Sequence, residues 1–353
     1  MRFSIAINMM RRRPDVPMET VAAQALEMVM AAERLGFDIA WAAEHHTIEY
    51  TIAPNPLVLI VHWAAHVRRM RLGTAVITAP YWNPLRAAGE IALADILTGG
   101  RLEVGFGRGA YQYEFDRMLG GLPQERGGEH LRETLDAVLR LWAGDYEHHG
   151  QHWSFPQATA TPKPIQRPRP PIWVAARDPD TFDWAVGHGL NLMTTAHRLP
   201  FGEVENLLGK MKTAMAHHPG KPRPRFSTSR MTCVYEDPAD WRVPVDAMRE
   251  GVRIFMGLFQ NKSPVINGFP RPIDLAASDA RGDYRPEAMR ANMMFGTPDE
   301  VVAKLRQYEA VGVDIFNYNA SFGLPHEVAV RSLKLFATEV MPKFGGASWP
   351  SKS

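Results

Sequence analysis

The 353-residue chain has one cysteine, Cys233. A lone thiol cannot close an internal disulfide and offers a metal no cysteine cluster. An excess of one charge is missing as well: 40 Lys and Arg face 38 Asp and Glu, for a formal net charge of +2. That balance gives no electrostatic case for nucleic acid or an anionic membrane surface. No apolar run approaches the roughly 18 residues a membrane span requires. The amino-terminal MRFSIAINMMRRR puts its apolar run before the arginines, the reverse of a secretory signal. The expected location is therefore cytoplasmic. What the chain does have is 45% hydrophobic residues. That is enough for a large core, in one barrel-sized domain or two smaller ones.

The most informative stretch is RLGTAVITAPYWNPLRAAGEIALADILTGGRLEVGFGRGAYQYEF, residues 71–115. Two short β-type runs, Leu72–Thr78 and Leu102–Phe106, flank a helical pattern from Pro84 to Leu97. Proline at the first turn and Gly99-Gly100 after the last frame that helix. Strand–helix–strand units imply parallel strands. The second strand runs into a glycine-punctuated turn around Arg108. A fixed cation among bare backbone N–H groups, at the carboxyl end of a parallel strand, suits a phosphate.

Taken in order, further strands are expected at Phe3–Asn8, Phe37–Ala43, Pro171–Ala175, Asn191–Thr194, Arg225–Tyr235 and Gly312–Tyr318. Helices are expected at Met18–Leu35, Pro54–Val67, Glu129–Trp142, from near Asp178, and at Phe201–His217, Pro238–Leu258, Thr297–Val311 and Pro325–Val340. Eight strands, most followed by a helix, make one (β/α)8 barrel the simplest architecture over residues 1–343, with 344–353 a disordered tail. A doubly wound open sheet fits the strand count less well. Residues 146–170, after the fourth strand, form an excursion with hairpin character. The loop 259–296 after the seventh strand is too long for an ordinary connection and is expected to act as a lid. The Arg11-Arg12-Arg13 triplet is expected to be a solvated loop.

A barrel keeps its chemistry at the carboxyl ends of its strands. Glu44-His45-His46, Arg108 and Ala176–Thr181 all fall there. Successive strand residues face opposite ways, so at most one of the two histidines is expected to work. Metal binding by Glu44, His45 and His46 lacks a second cluster at ligand spacing. The GFGRGA run matches a loose dinucleotide fingerprint, but YQYEFDRMLGGLP after it lacks a clean helix, so a phosphate clamp is the better reading. No nucleophile elbow is present.

Several of these runs resemble the bacterial luciferase family of flavin-dependent monooxygenases. They are GFDIAWAAEHH, NPLV, RLGTAVITAP, NPLRAAGEIALADILTGGRL and GRGAYQYEF, then PPIWVAARDPDTFDWAVGHGLN, FGTPDEVVAKL and FGLPHEVAVRSLKLFATEVMP. The likeness spans nearly the whole chain, and that family is a (β/α)8 barrel. It implies that His45 promotes and protects reaction at the flavin C4a position, with Glu114 as a second, acidic active-site residue and Tyr111 nearby. It implies that Arg108 holds the flavin phosphate, with Thr181 and the backbone near Ala176 and Arg177 completing the cradle. Ala75-Val76 falls at the family's non-prolyl cis peptide under the isoalloxazine. Arg177-Asp178 departs from the small hydroxyl residues common there: Asp178 would repel a phosphate unless it turns away as a helix N-cap.

The resemblance implies a two-component enzyme that takes reduced FMN from a separate flavin reductase, adds O2 at C4a and oxygenates a small organic substrate such as an aldehyde or ketone. Its rivals are a deazaflavin-dependent hydride transferase and a non-catalytic flavin-binding protein. The helix within Pro54–Val67 is apolar on nearly every side, so with Pro84–Leu97 it is expected to pack against a second copy in a homodimer.

Overall fold

The computed structural model describes residues 1–259, 263–274, 276, 280 and 282–345. Eight parallel strand positions close on themselves. They are β1 (Arg2–Ile7), β2 (Ile39–Ala42), β3 with β4 (Arg71–Thr74, Ile77–Thr78), β5 (Leu102–Gly107), β8 (Ile172–Ala175), β9 (Asn191–Thr195), β10 (Phe226–Val234) and β14 (Ile315–Asn319). Each pairs in parallel with the next, and β14 returns to β1 with Ser4 opposite Asn317. The expected (β/α)8 barrel is what forms. Its outer ring is α1 (Met18–Arg34), α2 (Pro56–Ala64), α3 (Pro84–Leu97), α5 (Gly127–Ala143), α6 (Pro179–Gly187), α7 (Gly202–His217), α10 (Pro298–Val311) and α11 (His326–Leu335).

Local chemistry sets the turns. Asn55 and Asn83 cap α2 and α3 through their side chains, each with proline in the first turn. Thr297 and Glu300 form a capping box on α10, and Gly312 ends that helix at φ 98°. The main core lies between sheet and helices; a smaller apolar cluster with Trp41 and Trp173 fills the barrel itself. Gly73 lets Trp41 approach, since a Cβ there would fall 2.3 Å from the indole ring. Lower in the barrel, the fully buried Glu103 pairs with Arg71 and accepts from Trp173 Nε1 at 2.6 Å. Cys233 on β10 is buried, and burial pushes its thiol up to about 12.

The third strand breaks at the cis peptide Ala75-Val76, and Thr74 Oγ1 bridges the gap to the Gly105 backbone at 2.8 Å. The hairpin expected after the fourth strand forms as β6 (Tyr146–His149) and β7 (Ser154–Ala158), antiparallel. A short helix, α4 (Gln112–Met118), occupies the stretch the sequence leaves without one. Seven residues are too few to show a helical period. Gln112 Nε2 bonds Asp116 Oδ1 at 2.8 Å, and the Arg117 guanidinium stacks 3.4 Å over the Tyr113 ring.

The described part of the 259–296 segment carries short elements that the sequence does not predict. It includes the hairpin β11 (Val265–Ile266) and β12 (Phe269–Pro270), then α9 (Pro286–Asn292) and β13 (Met294–Gly296), which pairs with the end of β10. Residues 260–262, 275, 277–279 and 281 of the expected lid lie outside the described residues. Phe344, placed by sequence in the tail, is buried edge-on against Phe3; residues 346–353 lie outside the described ones. On the outer face, α2 and α3 expose Val58 (64%), Leu93 (47%) and Leu97 (56%).

Candidate active site

Glu44, His45 and His46 follow β2, which ends at Ala42. The alternation expected of a strand therefore does not apply to them, and both histidines enter one network. His45 Nδ1 lies 3.1 Å from Glu114 Oε1 on α4, and the same oxygen accepts the His46 backbone N–H at 2.7 Å. His46 Nε2 lies 2.6 Å from Glu44 Oε1. Glu44 also accepts from Thr78 N at 2.8 Å and from Trp82 Nε1 at 3.0 Å. Both carboxylates are buried, with side chains 0% and 3% exposed. A buried carboxylate needs donors, and here each finds them inside the cluster.

An ionised carboxylate only accepts, so Glu114 requires the proton on His45 Nδ1. That leaves His45 Nε2 as an acceptor, unbonded and reaching the surface. Tyr111 stacks on His45 (centroids 5.0 Å, 22°), and Phe255 of α8 (Arg242–Phe259) meets Tyr111 edge-on at 5.0 Å. Burial, then the Glu114 charge, raises the Tyr111 phenol well above its ordinary value. The expected trio His45, Glu114 and Tyr111 is thus brought together. Ala75 N donates to Ala42 O at 2.7 Å, and Val76 lies across Gly107, where a Cβ would fall 2.5 Å from its Cγ2.

The expected phosphate residues assemble differently. Arg108 is half-buried, donates from Nη1 to Gln124 O at 3.2 Å and makes no ion pair among the described residues. Gly127 at the start of α5 presses on this turn, since a Cβ there would fall 2.1 Å from Arg108 O. Asp178 is the α6 N-cap, accepting from Thr181 N and from its Oγ1, both at 2.9 Å. Burial pushes the Asp178 carboxyl up, but the two Thr181 donors and then Arg108 outweigh it and hold it below its ordinary value. Thr181 is buried and spends both donors on Asp178. Ala176 N is committed to Met193 O at 3.1 Å. Arg177 turns to Glu203 Oε1 at 3.2 Å, with Thr195 O at 3.4 Å from its Nη1.

Sequence reasoning missed the hub role of Glu44, and also Arg11. In the triplet read as a solvated loop, Arg13 is exposed. Arg11, in contrast, pairs with Glu49, donates to Pro14 O and Val16 O, and lies 5.5 Å from the Phe269 ring centroid on the β11–β12 hairpin. Glu49 N in turn donates to Gly268 O at 2.8 Å. No single-sequence signal marks Arg11, because the side chains it meets, Glu49 and Phe269, lie far along the chain. Among the described residues, no group of three or more His, Cys, Asp or Glu could hold a metal ion.

An imidazole acceptor, an apolar floor at Val76 and a cation at Arg108 around one barrel mouth fit a flavin by the chemistry of their donor sets. Functional groups gathered at the carboxyl rim of a closed parallel barrel are the arrangement of a barrel enzyme. The chain belongs to the luciferase-like monooxygenase family, whose description matches residues 1–315. It is 38% identical, over 98% of its length and 96% of the relative's, to the oxygenase component of flavin-dependent trigonelline monooxygenase from Acinetobacter baylyi.

Two solved structures share the barrel. The oxygenating constituent of 3,6-diketocamphane monooxygenase from Pseudomonas putida, in complex with FMN, has TM-score 0.78 at 17% identity, over 97% of this chain and 98% of that one. An F420-dependent secondary alcohol dehydrogenase has TM-score 0.75 at 18% identity, over 96% and 98%. At such identities they speak for the fold alone. Among the described residues, no helix is long and apolar enough to cross a membrane.

Proposed function

We propose that the protein is the oxygenase of a two-component system, using reduced FMN from a separate flavin reductase to oxygenate a small organic substrate. The observation that carries this reading is the His45–Glu114 pair, which offers an acceptor nitrogen at the barrel mouth. Reduced FMN, when bound, supplies the electrons that activate O2. The chain supplies the rest. Arg108 would hold the phosphate and Val76 would lie under the ring, while Tyr111, backed by Phe255, covers one face of His45. His45 Nε2 receives a proton from the cleft, and Glu114 stabilises the resulting imidazolium. The trigonelline relative supports a compact organic substrate, and its being named an oxygenase component supports the separate reductase.

The test mixes the protein with reduced FMN without air, then adds O2 and follows the flavin absorbance. A phase distinct from reduced and oxidised FMN is expected. Its absence, together with hydride exchange on a deazaflavin, would replace oxygenation by hydride transfer. The same reading includes a homodimer through α2 and α3, supported by the exposed Val58, Leu93 and Leu97. Light scattering should give twice the chain mass, and a Leu93→Glu, Leu97→Glu double variant should return it to one.

A further inference from the structure

His46 and Glu44 form a second carboxylate–imidazole pair that the chemistry above does not use. Glu44 is fully buried and makes no ion pair with Lys or Arg among the described residues. Its donors come from three segments: the His46 ring, the Thr78 amide and the Trp82 indole. The Glu44 contact is through His46 Nε2, whereas Glu114 contacts His45 through Nδ1. Two carboxylates that only accept therefore fix two neighbouring imidazoles in opposite tautomers. His46 is left with Nδ1 as its acceptor, unbonded and not closed off from the surface.

We propose that His46 is a second proton acceptor at the barrel mouth and that Glu44 is its positioning residue. This rests on the oxygenase reading for its chemistry, though not for its geometry. A proton leaves a group in the cleft and forms a bond to His46 Nδ1. The imidazolium keeps its Nε2–H on Glu44, and no electrons change hands. Glu114 couples the two sites, because one of its oxygens accepts from both the His45 ring and the His46 amide. The titratable groups facing His46 are Glu44, Glu114, His45, Tyr111 and Tyr81. Tyr81 meets its ring edge-on at 5.3 Å and is raised by burial, then by the charges of Glu114 and Glu44.

Long-range ¹⁵N–¹H spectra of the full-length protein without flavin read the tautomers directly. His45 should appear as Nδ1–H and His46 as Nε2–H. Glu44→Gln keeps an amide oxygen for Thr78 and Trp82 but turns an NH2 toward His46 Nε2. His46 should then flip to Nδ1–H while His45 stays as it is. The same tautomer for both histidines in the unaltered protein, or an unmoved His46 in Glu44→Gln, would overturn the proposal. With reduced FMN, Glu44→Gln should lower kcat for product about 10²-fold at unchanged KM, and His46→Asn should remove one ionisation from the pH–rate profile. An unchanged profile in His46→Asn would also overturn it. Correct tautomers in a protein that never oxygenates would instead sink the oxygenase reading and leave the pairing standing.

Discussion

The β2–β5 side of the barrel mouth and its β8–β9 side handle charge in opposite ways. On the first, Glu44 and Glu114 are buried and bonded to histidines, an indole and backbone amides of the same cluster. On the second, the charges are half-buried or exposed and committed to near neighbours: Asp178 to the Thr181 amide and hydroxyl, Arg177 to Glu203. A buried network with all its donors in place has one arrangement, and departing from it is costly. Exposed pairs contribute little and rearrange readily. The first side is therefore set before any ligand arrives, while the second would have to exchange internal partners to take the proposed phosphate.

The largest effect expected from breaking the first side is at His45. His45→Ala should still bind FMN but turn reduced flavin over to hydrogen peroxide, with coupled product falling by roughly 10²–10⁴-fold. Parallel assays of product and peroxide decide it, and unchanged coupling would contradict the role given to that nitrogen. Arg108→Ala, at the proposed phosphate position, should weaken FMN affinity roughly 10- to 100-fold, as for a lost charge-assisted contact, and leave the coupling of bound flavin intact. Fluorescence titration of FMN against riboflavin measures this, since only FMN carries the phosphate. Equal losses for both ligands would place the phosphate elsewhere.

Covering the first side should matter less. Gly268 has φ +79°, and a Cβ there would fall 2.4 Å from Glu49 Cγ. Gly268→Val should undock the β11–β12 hairpin from Glu49 and raise the peroxide share a few-fold, while thermal unfolding of the barrel hardly moves. The smallest effect lies outside both sides. His130 and His152 stack face to face at 3.7 Å, and burial, then the His152 charge, lowers the His130 pKa below 6.5. A lowered folded value means the unfolded chain takes the proton first. Stability from His130 is therefore present above about pH 6.5 and fades as pH falls below it, an effect that solvent screening keeps small at this half-buried group. Urea midpoints at pH 7.5 and 5.5 should differ less in His130→Gln.

The barrel was legible because its strands are apolar runs at regular spacing with Pro, Asn and Gly at the helix ends. Short pieces were not: α4 has seven residues and β13 three, below what any period can show. In the site, His45 and Glu114 could be named from motif resemblance, and they meet as expected. The meeting of His46 with Glu44 was hidden by an alternation rule that fails once β2 stops at Ala42. Arg177 and Thr181 are where expected in the chain, yet their side chains turn to Glu203 and Asp178. That choice depends on α7 and on capping geometry, which residue order alone does not fix.

Cys233 bears on the working life of the protein. An oxygenase that misfires releases oxidant beside its own polypeptide, and thiolates are the first groups such an oxidant consumes. This chain holds a single thiol, shut inside the wall of the barrel and kept protonated to about pH 12. Wasted turnovers thus find no sulfenate-forming site, and wear should build up on exposed methionines such as Met18 and Met118, whose oxidation is reversible.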